Sequence, residues 1–525
     1  MYGLKEAAHY LRLGFYLRDD FLPFGRKNIP MQEFISNLSD IELIDGGSKY
    51  QHDASGFQRK INGVFLPKSH AEVQRIIQKA NDYKQPVFVI SGGKNWGYGT
   101  ALPVQPEAWI LSLEKMKRIL NFDSDTYTLD IEAGVSQQDL HEYFQKHNIP
   151  AMVPNTGIGG RGNIIGNLLE RGFGPAPLQD HASSLMSLKA VMADASEYSS
   201  FYRGIAGDID RGYHWGLGPY MDGLFHQSGL GIVTEAKIKV MPKPEEVTIL
   251  ISEVKSGTPV ATVMQACGEL TVTLNGQFQA SKYIDSAQIE KSAGADTSYF
   301  SKTKNPRLLY AGLYTSKKQK RIVQKQVKSI LAKYGLKNNH FVNRSKLQVL
   351  KRILPKKLFE AVDGLYDLAD GVPSPGGLNL LFPDADRLQL EQAEPAKHEY
   401  KILWYVPVLS LSPNRVEEIY SMMKNIVKDK EEFLAYTSFT ITTIGSNAAV
   451  FTVPLIYKEE NKEKVYSLYR NLLQEGAERG YFPYRIPIEF MQDLMNLHPE
   501  YWQQVQKLKK AYDPNNILSS GRYSI

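Results

Sequence analysis

The chain has 525 residues, with 62 Lys and Arg against 56 Asp and Glu, so its formal net charge is +6. This length exceeds what one ordinary hydrophobic core organises, and we expect two or three domains. Hydrophobic residues make up 42% and charged residues 22% of the chain, as in a globular protein. The slight positive charge is weak support for a nucleic-acid partner, and we expect none.

The single cysteine, Cys267, excludes an internal disulfide and a zinc or iron–sulfur site built on cysteines. We expect Cys267 to be a small buried hydrophobe in a helix near residues 259–270, and we expect no metal site. The first twenty residues lack the apolar core of a signal peptide, and no run approaches the roughly eighteen apolar residues of a membrane span. We therefore expect a cytoplasmic protein with no membrane partner.

The first predicted elements are helices and a buried strand. Apolar residues within 4–17 are compatible with an amphipathic helix. Ser69 and Glu72 have the spacing of a capping box, and apolar residues at helical spacing follow them up to Ala80. Residues 87–90, VFVI, are β-branched or otherwise strongly apolar and predict a buried strand.

A glycine-rich loop, residues 91–99 (SGGKNWGYG), follows this strand and has four glycines in nine residues. Glycine permits positive φ and lets backbone N–H groups approach a ligand, so such a loop can bind a phosphate or pyrophosphate. Ser91, Lys94 and Asn95 could add side-chain donors. Taken alone, the loop is equally compatible with an ordinary hairpin turn. It lacks the GxxxxGK[ST] pattern of nucleotide triphosphatases.

Further elements complete a β-α-β-β-α-β pattern, which is typical of a compact α+β unit. Strands are predicted near 109–113 and 127–132, and Ser136 with Asp139 marks the start of a second helix. A short apolar segment at 149–153 follows this helix.

A second glycine cluster begins at Asn155, and Gly157, Gly159 and Gly162 match GxGxxG. The match is not interpreted as a dinucleotide-binding fingerprint, because glycines interrupt the segment after it, which is too short for a crossover helix. We interpret the cluster as a loop that brings backbone groups against a flat or phosphorylated ligand.

The sequence MPKPEE at 241–246 breaks the pattern and is the first predicted domain boundary. Strands are predicted before it at 185–194 and 230–240, and after it at 248–253, 307–314, 401–410, 436–444 and 449–457. Helices are predicted at 259–270, 318–334, 414–428 and 460–478. This alternation predicts an antiparallel sheet with helices on one face.

Five segments resemble the vanillyl-alcohol oxidase / p-cresol methylhydroxylase family of FAD-dependent oxidoreductases, in the same order. They are SGGKNWGYG (91–99), GNLLERGFGPAPLQDH (166–181), GLGPYMDGLFHQSGLGIVTEAKIKVMPKP (216–244), PYRIPIEFMQD (483–493) and DPNNILSSGRY (513–523). The resemblance implies an α+β, two-domain FAD-binding fold of the vanillyl-alcohol oxidase type. It implies an FAD-binding domain of the p-cresol methylhydroxylase type in residues 1–245, to which 500–525 return. A cap, or substrate, domain with an antiparallel sheet covered by helices would occupy 246–499.

The resemblance also implies the cofactor, FAD, and the residues that bind it. These come from the two glycine-rich segments, the segment 228–233 and the tail: Ser91, Gly92, Gly93, Lys94, Asn95, Gly157, Gly159, Gly160, Asn163, Gly166, Asn167, Asp180, His181, Gly231, Ile232, Val233 and Arg522.

Four positions match the family's catalytic residues, which implies oxidation of a para-substituted phenol. Tyr98, Tyr484 and Arg485 would bind the phenol and stabilise its phenolate, since a guanidinium and hydroxyl donors in a dry pocket lower a phenol's pKa. Hydride would then pass from the benzylic carbon to flavin N5 and leave a p-quinone methide. Asp180 would activate water or accept a proton. Without the resemblance, the sequence favours Asp180 as a loop-capping acid, and Tyr484 with Arg485 as a surface pair.

The sequence departs from the family where many members bind FAD covalently. Ile402 occupies the position of the histidine that links the flavin in vanillyl-alcohol oxidase, and His398, Tyr400 and Tyr405 lie nearby but out of register. We therefore expect non-covalent FAD, with a link through one of these three residues as the alternative. Residues 447–449, Asn-Ala-Ala, replace the family's paired histidines of a later cap strand, which alters the pocket wall.

The expected partners are a small aromatic substrate and an electron acceptor, either dioxygen or a cytochrome, and we expect a homodimer or higher homo-oligomer. One alternative is an enzyme of the same fold acting on a non-phenolic alcohol or amine in a specialised biosynthetic pathway. The other is a non-catalytic nucleotide-binding protein, and a yellow purified protein would exclude that class.

Overall fold

The computed structural model describes residues 31–524 except 177, 206, 288, 290–306, 429 and 436, so the helix predicted at 4–17 lies outside the described residues. The strands in chain order are β1 (Leu43–Ile44), β2 (Gly63–Phe65), β3 (Val87–Ile90), β4 (Trp109–Ser112), β5 (Ile119–Asp123), β6 (Thr128–Glu132), β7 (Ala151–Met152), β8 (Leu185–Met192), β9 (Glu197–Ser199), β10 (Gly231–Lys239), β11 (Met241–Pro242), β12 (Glu246–Val254), β13 (Phe278–Ile284), β14 (Arg307–Thr315), β15 (Asn339–Asn343), β16 (Tyr400–Tyr405), β17 (Val408–Ser410), β18 (Thr440–Ile444) and β19 (Ala448–Lys458). The α-helices are Met31–Ser36, His70–Asp82, Gln137–Lys146, Ile164–Leu169, Val260–Thr273, Lys320–Lys333, Arg344–Leu350, Lys356–Ala369, Arg387–Gln392, Pro413–Val427, Lys462–Glu478, Met491–Asn496 and Pro499–Tyr512.

The predicted β-α-β-β-α-β unit is divided among three sheets, because its last strand, β7, pairs with β11 in a separate two-stranded sheet. This corrects the expectation of one compact unit. The first sheet has the order β1-β2-β4-β3, with β2 and β3 parallel to β4. The second has the order β5-β6-β10-β8-β9 and is antiparallel. Because β4 is buried along its whole length and is paired on both edges, β6 cannot join it and pairs with β5 and β10 instead.

Both predicted helix starts in this half are confirmed, and they set the helices against the sheets. Ser69 Oγ accepts a hydrogen bond from Glu72 N at 3.2 Å, and Ser136 and Asp139 form a reciprocal capping box. The apolar stripe of helix His70–Asp82 packs into the same core as β3 and β4.

The second half contains one antiparallel sheet, as predicted, in the order β15-β12-β14-β13-β18-β19-β16, with β17 also on β19. Helices cover both of its faces, so the expectation of helices on one face is wrong. Strand β12 explains the difference, because it is apolar on both sides. Leu250 and Val254 join the core with helix Val260–Thr273, whereas Ile249 and Ile251 pack with helix Lys356–Ala369.

The C-terminal tail runs beside the first residue of β3, at the end of the strand away from the first glycine-rich loop. Val87 N donates to Ile517 O at 2.8 Å, and Ser519 N donates to Val87 O at 2.7 Å.

The division of the chain into domains at residues 245 and 499 stays a prediction. Cys267 is buried in helix Val260–Thr273, as predicted. Within the described part of the chain, no helix has both the length and the apolar character needed to cross a membrane.

Candidate active site

A cavity of about 420 Å³ lies between the carboxyl end of β3 and the large antiparallel sheet. It brings together both glycine-rich segments, the segment after Gln227, the loop 484–488 and the tail. Residues of β13, β16, β18 and β19 form the opposite wall. Segments more than 400 residues apart in sequence therefore meet around one space.

Most of the residues predicted for the site line this cavity. They are Ser91, Gly92, Gly93, Lys94, Asn95, Tyr98, Gly157, Asn163, Gly166, Asn167, Gly231, Ile232, Val233, Tyr484, Arg485 and Arg522. Gly159, Gly160, Asp180 and His181 are not among the lining residues. Gly159 approaches Pro375, and Gly160 packs against Gln138 of a neighbouring helix.

The first glycine-rich loop has the free donors that a pyrophosphate requires. Within the described residues, the backbone N–H groups of Gly92, Gly93 and Lys94 have no hydrogen-bond acceptor, although all three residues line the cavity. Gly93 has φ +63°, and a Cβ there would lie 2.8 Å from the Cβ of Ala101. A loop with unpaired N–H groups and glycines at close contacts is suited to a bound anion, so these residues fit FAD.

The second glycine-rich segment packs directly against the first. A Cβ on Gly92 would overlap Asn163 Oδ1, and a Cβ on Gly166 would lie 2.8 Å from Ser91 Oγ. Asn163 is held in place because its Nδ2 donates to Gly134 O at 2.8 Å. The two loops therefore form adjacent walls of the cavity, and glycine is needed where they touch.

Tyr98, Tyr484 and Arg485 come together at one end of the cavity. The Arg485 Cζ atom lies 5.3 Å from the centroid of each tyrosine ring. Arg485 is only 8% exposed, so the interpretation of Tyr484 and Arg485 as a surface pair does not hold. Burial raises the pKa of Tyr98 well above its usual range, which keeps its hydroxyl protonated as a hydrogen-bond donor.

The Arg485 guanidinium is fixed in place and retains two free N–H groups. Its Nε and Nη2 donate to Glu170 O at 3.1 and 2.8 Å, and its Nη1 donates to Asn95 Oδ1 at 2.9 Å. A guanidinium has five N–H donors, so one on Nη1 and one on Nη2 have no acceptor among the described residues. They are available to a ligand oxygen.

Glu170 is a site residue that the sequence analysis missed. It lines the cavity, and its carboxylate contacts two arginines, Arg522 through Oε1 and Arg485 through Oε2, the latter at 3.7 Å. Sequence reasoning had one signal available, since Glu170 is an isolated acid between Gly166 and Gly172. The carboxylate balances two largely buried cations and orients both of them.

Asp180 is separated from the other three predicted catalytic residues. Its side chain is exposed, and Oδ1 accepts a hydrogen bond from Ala182 N at 3.1 Å, which is the loop-capping arrangement. The neighbouring His181 is buried, and burial lowers its pKa to about 4, so its imidazole is neutral. Its Nδ1 contacts Asn167 Nδ2, and Asn167 in turn lines the cavity.

The three residues considered for a covalent flavin link do not line the cavity. His398 packs against Phe382, Tyr400 lies beside His398, and the Tyr405 hydroxyl donates to Leu472 O at 2.8 Å. Ile402 and Trp404 do line it. Tyr405 lies on the opposite face of β16, and Tyr400, although on the same face as Ile402, stands at the start of the strand outside the lining. The strand therefore presents apolar carbon and an indole to the cavity at Ile402 and Trp404.

Comparison with known proteins supports this cofactor. A family model described as an FAD binding domain matches residues 61–198. The chain is 24% identical over 497 residues to 1'-carboxy-chondrochloren decarboxylase of Chondromyces crocatus, covering 88% of this chain and 90% of that protein. It is also 24% identical to the flavoprotein subunit of 4-cresol dehydrogenase [hydroxylating] of Pseudomonas putida, over 86% of each chain.

Two solved structures share the fold over nearly the whole chain. One is 4-ethylphenol oxidase from Gulosibacter chungangensis in complex with isoeugenol, with a TM-score of 0.81, 21% identity and coverage of 94% of this chain and 97% of that chain. The other is p-cresol methylhydroxylase with substrate bound, with a TM-score of 0.80, 22% identity and coverage of 94% and 96%. The fold and cavity define an FAD-dependent oxidoreductase. The resemblance to the vanillyl-alcohol oxidase / p-cresol methylhydroxylase family is confirmed.

Proposed function

We propose that this enzyme oxidises a para-substituted phenol at its benzylic carbon. The observation that carries the proposal is the group of Tyr98, Tyr484 and Arg485 around one end of the cavity, with two N–H groups of Arg485 free. A phenol oxygen placed there would receive hydrogen bonds from a permanent cation and from the hydroxyl groups of the two tyrosines. The names of the relatives, a cresol dehydrogenase and an ethylphenol oxidase, are consistent with this substrate class.

The chemistry follows from what these side chains do to a bound phenol. Arg485 and the two tyrosines stabilise the phenolate relative to the phenol, which lowers the pKa of the substrate in a largely dry site. The anion pushes electron density through the ring toward the para carbon and weakens its benzylic C–H bond. FAD, held by the glycine-rich segments, supplies a hydride acceptor when bound. The oxidised substrate is a p-quinone methide.

The proposal leaves two reactions open for the quinone methide. Water can add to its benzylic carbon, or a neighbouring carbon can lose a proton to form an alkene. Asp180 was predicted to assist this step, and that role stays a prediction, because its carboxylate is exposed and caps a turn. Glu170 is the carboxylate that lines the cavity, and its two arginine partners favour a positioning role.

A substrate with a carboxylated side chain is a second candidate, favoured by one observation. The relative from Chondromyces crocatus matches almost end to end and is named as a decarboxylase of a carboxy compound. The initial steps at the phenol would be the same. An enzyme for a non-phenolic alcohol or amine stays the alternative, and the test below separates it from both phenol candidates.

We expect anaerobic stopped-flow reduction of the flavin by 4-ethylphenol and no comparable reduction by its O-methyl ether. The ether has the same para substituent but cannot form a phenolate, so only the phenol would be activated by Arg485 and the tyrosines. The measurement is the decay of oxidised flavin absorbance. Equal reduction by the two compounds would exclude the phenolate mechanism while leaving FAD binding unaffected.

We further propose that FAD is bound without a covalent link, because Ile402 faces the cavity where a histidine would be needed. Acid precipitation of the yellow protein should leave the flavin in the supernatant. Flavin that stays on the pellet would contradict this, and peptide mapping would then identify His398, Tyr400 or Tyr405 as its attachment site. We also propose that the electron acceptor is dioxygen or a cytochrome. We propose further that the protein is a homo-oligomer and that it is cytoplasmic.

A further inference from the structure

A second cavity of about 290 Å³ adjoins the first on the side of the large sheet. The two cavities share Gly157, Phe173, Lys282, Gly377 and Thr442 in their linings, so these residues form the junction between them. The second cavity is lined mainly by apolar side chains of β13, β14 and helix Lys356–Ala369, including Ile284, Leu308, Val362, Leu365 and Leu368. It therefore adds space for a ligand beyond the end of the first cavity where Tyr98, Tyr484 and Arg485 lie.

Lys282 stands at this junction on β13. It lies directly opposite Thr442 of β18, and both residues line both cavities. Thr440 and Thr452 form the next directly opposed pair on β18 and β19, and both face the first cavity. The large antiparallel sheet therefore presents one cation and three hydroxyl groups to the two cavities, and its other residues that line them are mostly apolar.

The cation of Lys282 has no partner in the described part of the chain. No carboxylate forms an ion pair with it and no acceptor hydrogen-bonds to its Nζ, although the charge of Asp285 acts on it from a distance. Burial lowers the pKa of Lys282 to about 8, so most of it is still charged at neutral pH. A desolvated charge without a counter-ion is unfavourable, and a bound anion would offset that cost.

We propose that Lys282 binds a carboxylate on the substrate, while the second cavity takes the apolar remainder of a long side chain. This proposal rests on the proposed function, because it requires the phenol ring to be held at Arg485. The ligand is then an elongated phenol with an anionic group between its ring and an apolar tail. Thr442, directly opposite Lys282, supplies a neutral donor to the same group.

The test uses a charged phenol and a neutral analogue, neither of which has a benzylic C–H bond of the type that is oxidised. The probes are 4-hydroxycinnamate and its methyl ester, titrated into the FAD-bound enzyme while flavin absorbance is followed. Lys282→Met should weaken binding of the carboxylate roughly tenfold to a hundredfold and leave the ester within about twofold. Lys282→Arg should retain most of the affinity for the carboxylate.

Lys401→Met is the matched control, because Lys401 also lies on a strand of the large antiparallel sheet, but it lines neither cavity and its Nζ donates to His398 O at 2.8 Å. It should change neither dissociation constant. Equal weakening of both ligands in Lys282→Met, or no weakening of either, would overturn the proposal. Failure of the wild-type enzyme to bind the ester, together with no flavin reduction by 4-ethylphenol, would instead reject the phenol site and this inference with it.

Discussion

Arg485→Ala should slow flavin reduction by 4-ethylphenol roughly tenfold to a hundredfold, since a hydrogen bond to a charged group contributes about 1.5–3 kcal/mol. The loss should be in the rate at saturating phenol, because the guanidinium stabilises the anion that forms as the reaction proceeds. Tyr98→Phe and Tyr484→Phe should each slow reduction roughly two- to tenfold, as each removes one neutral donor. Anaerobic stopped-flow absorbance measures all three rates.

The control for Arg485 addresses its second role in holding the site together. The guanidinium also bonds to Glu170 O and Asn95 Oδ1, so Arg485→Ala loosens two loops. Arg485→Lys keeps the charge but loses the planar fork, and it should fall between the alanine variant and the wild type. FAD content is measured first in every variant. If the tyrosine variants reduced the flavin more slowly than both arginine variants, Arg485 would not be the residue that contributes most to stabilising the phenolate.

Gly93→Val should yield a folded protein that has lost most of its FAD. Gly93 has φ +63° and is within 2.8 Å of the Ala101 side chain when a Cβ is added, so valine strains the loop by about 1–3 kcal/mol and pushes it away. The N–H groups of Gly92 to Lys94 would then no longer converge on a phosphate. We expect the ratio of flavin to protein absorbance to fall at least roughly tenfold. Gly92→Val should act similarly by displacing Asn163.

Gly257→Val is the matched control for this substitution. Gly257 has φ +87° in the turn after β12, but a Cβ there meets no atom within 4 Å. It therefore carries the backbone strain without any contact with the cavity, and it should retain its flavin. Thermal unfolding of both variants shows whether each is folded. A folded Gly93→Val protein with full FAD content would remove the loop 91–99 from the pyrophosphate site.

Neighbouring residues in the sequence were sufficient to predict where several strands and helices begin and end, because these bounds depend on short-range interactions. Strand β3 has the predicted bounds because four strongly apolar residues are followed by Ser91 and then by two glycines. The helices after Ser69 and Ser136 begin where capping residues pair with backbone N–H groups three positions on. Where a segment is apolar on both faces, as in β12, the sequence did not reveal which helices would cover each side.

In the candidate site, too, the sequence did not show which distant residues come together. The glycine-rich loop and the pair Tyr484–Arg485 were identified as short motifs, and the fold brings them together. Glu170 carries no motif of its own, and its importance comes from two arginines that are more than 300 residues away in sequence. Asp180 matched a family position, yet its side chain is exposed and accepts a hydrogen bond from Ala182 N.

The sequence by itself indicated the FAD-binding class and the α+β fold, because five family motifs occur in the same order along the chain and the strands and helices follow local patterns. The chemistry proposed for the phenol rests on the same motifs and stays a proposal. Only the tertiary structure decided which residues share the cavity. Lys282 is an ordinary lysine in a strand until β18 places Thr442 opposite it and the second cavity opens beside it. Whether a charge is paired, and what faces it, depends on contacts between distant strands, which sequence spacing does not encode.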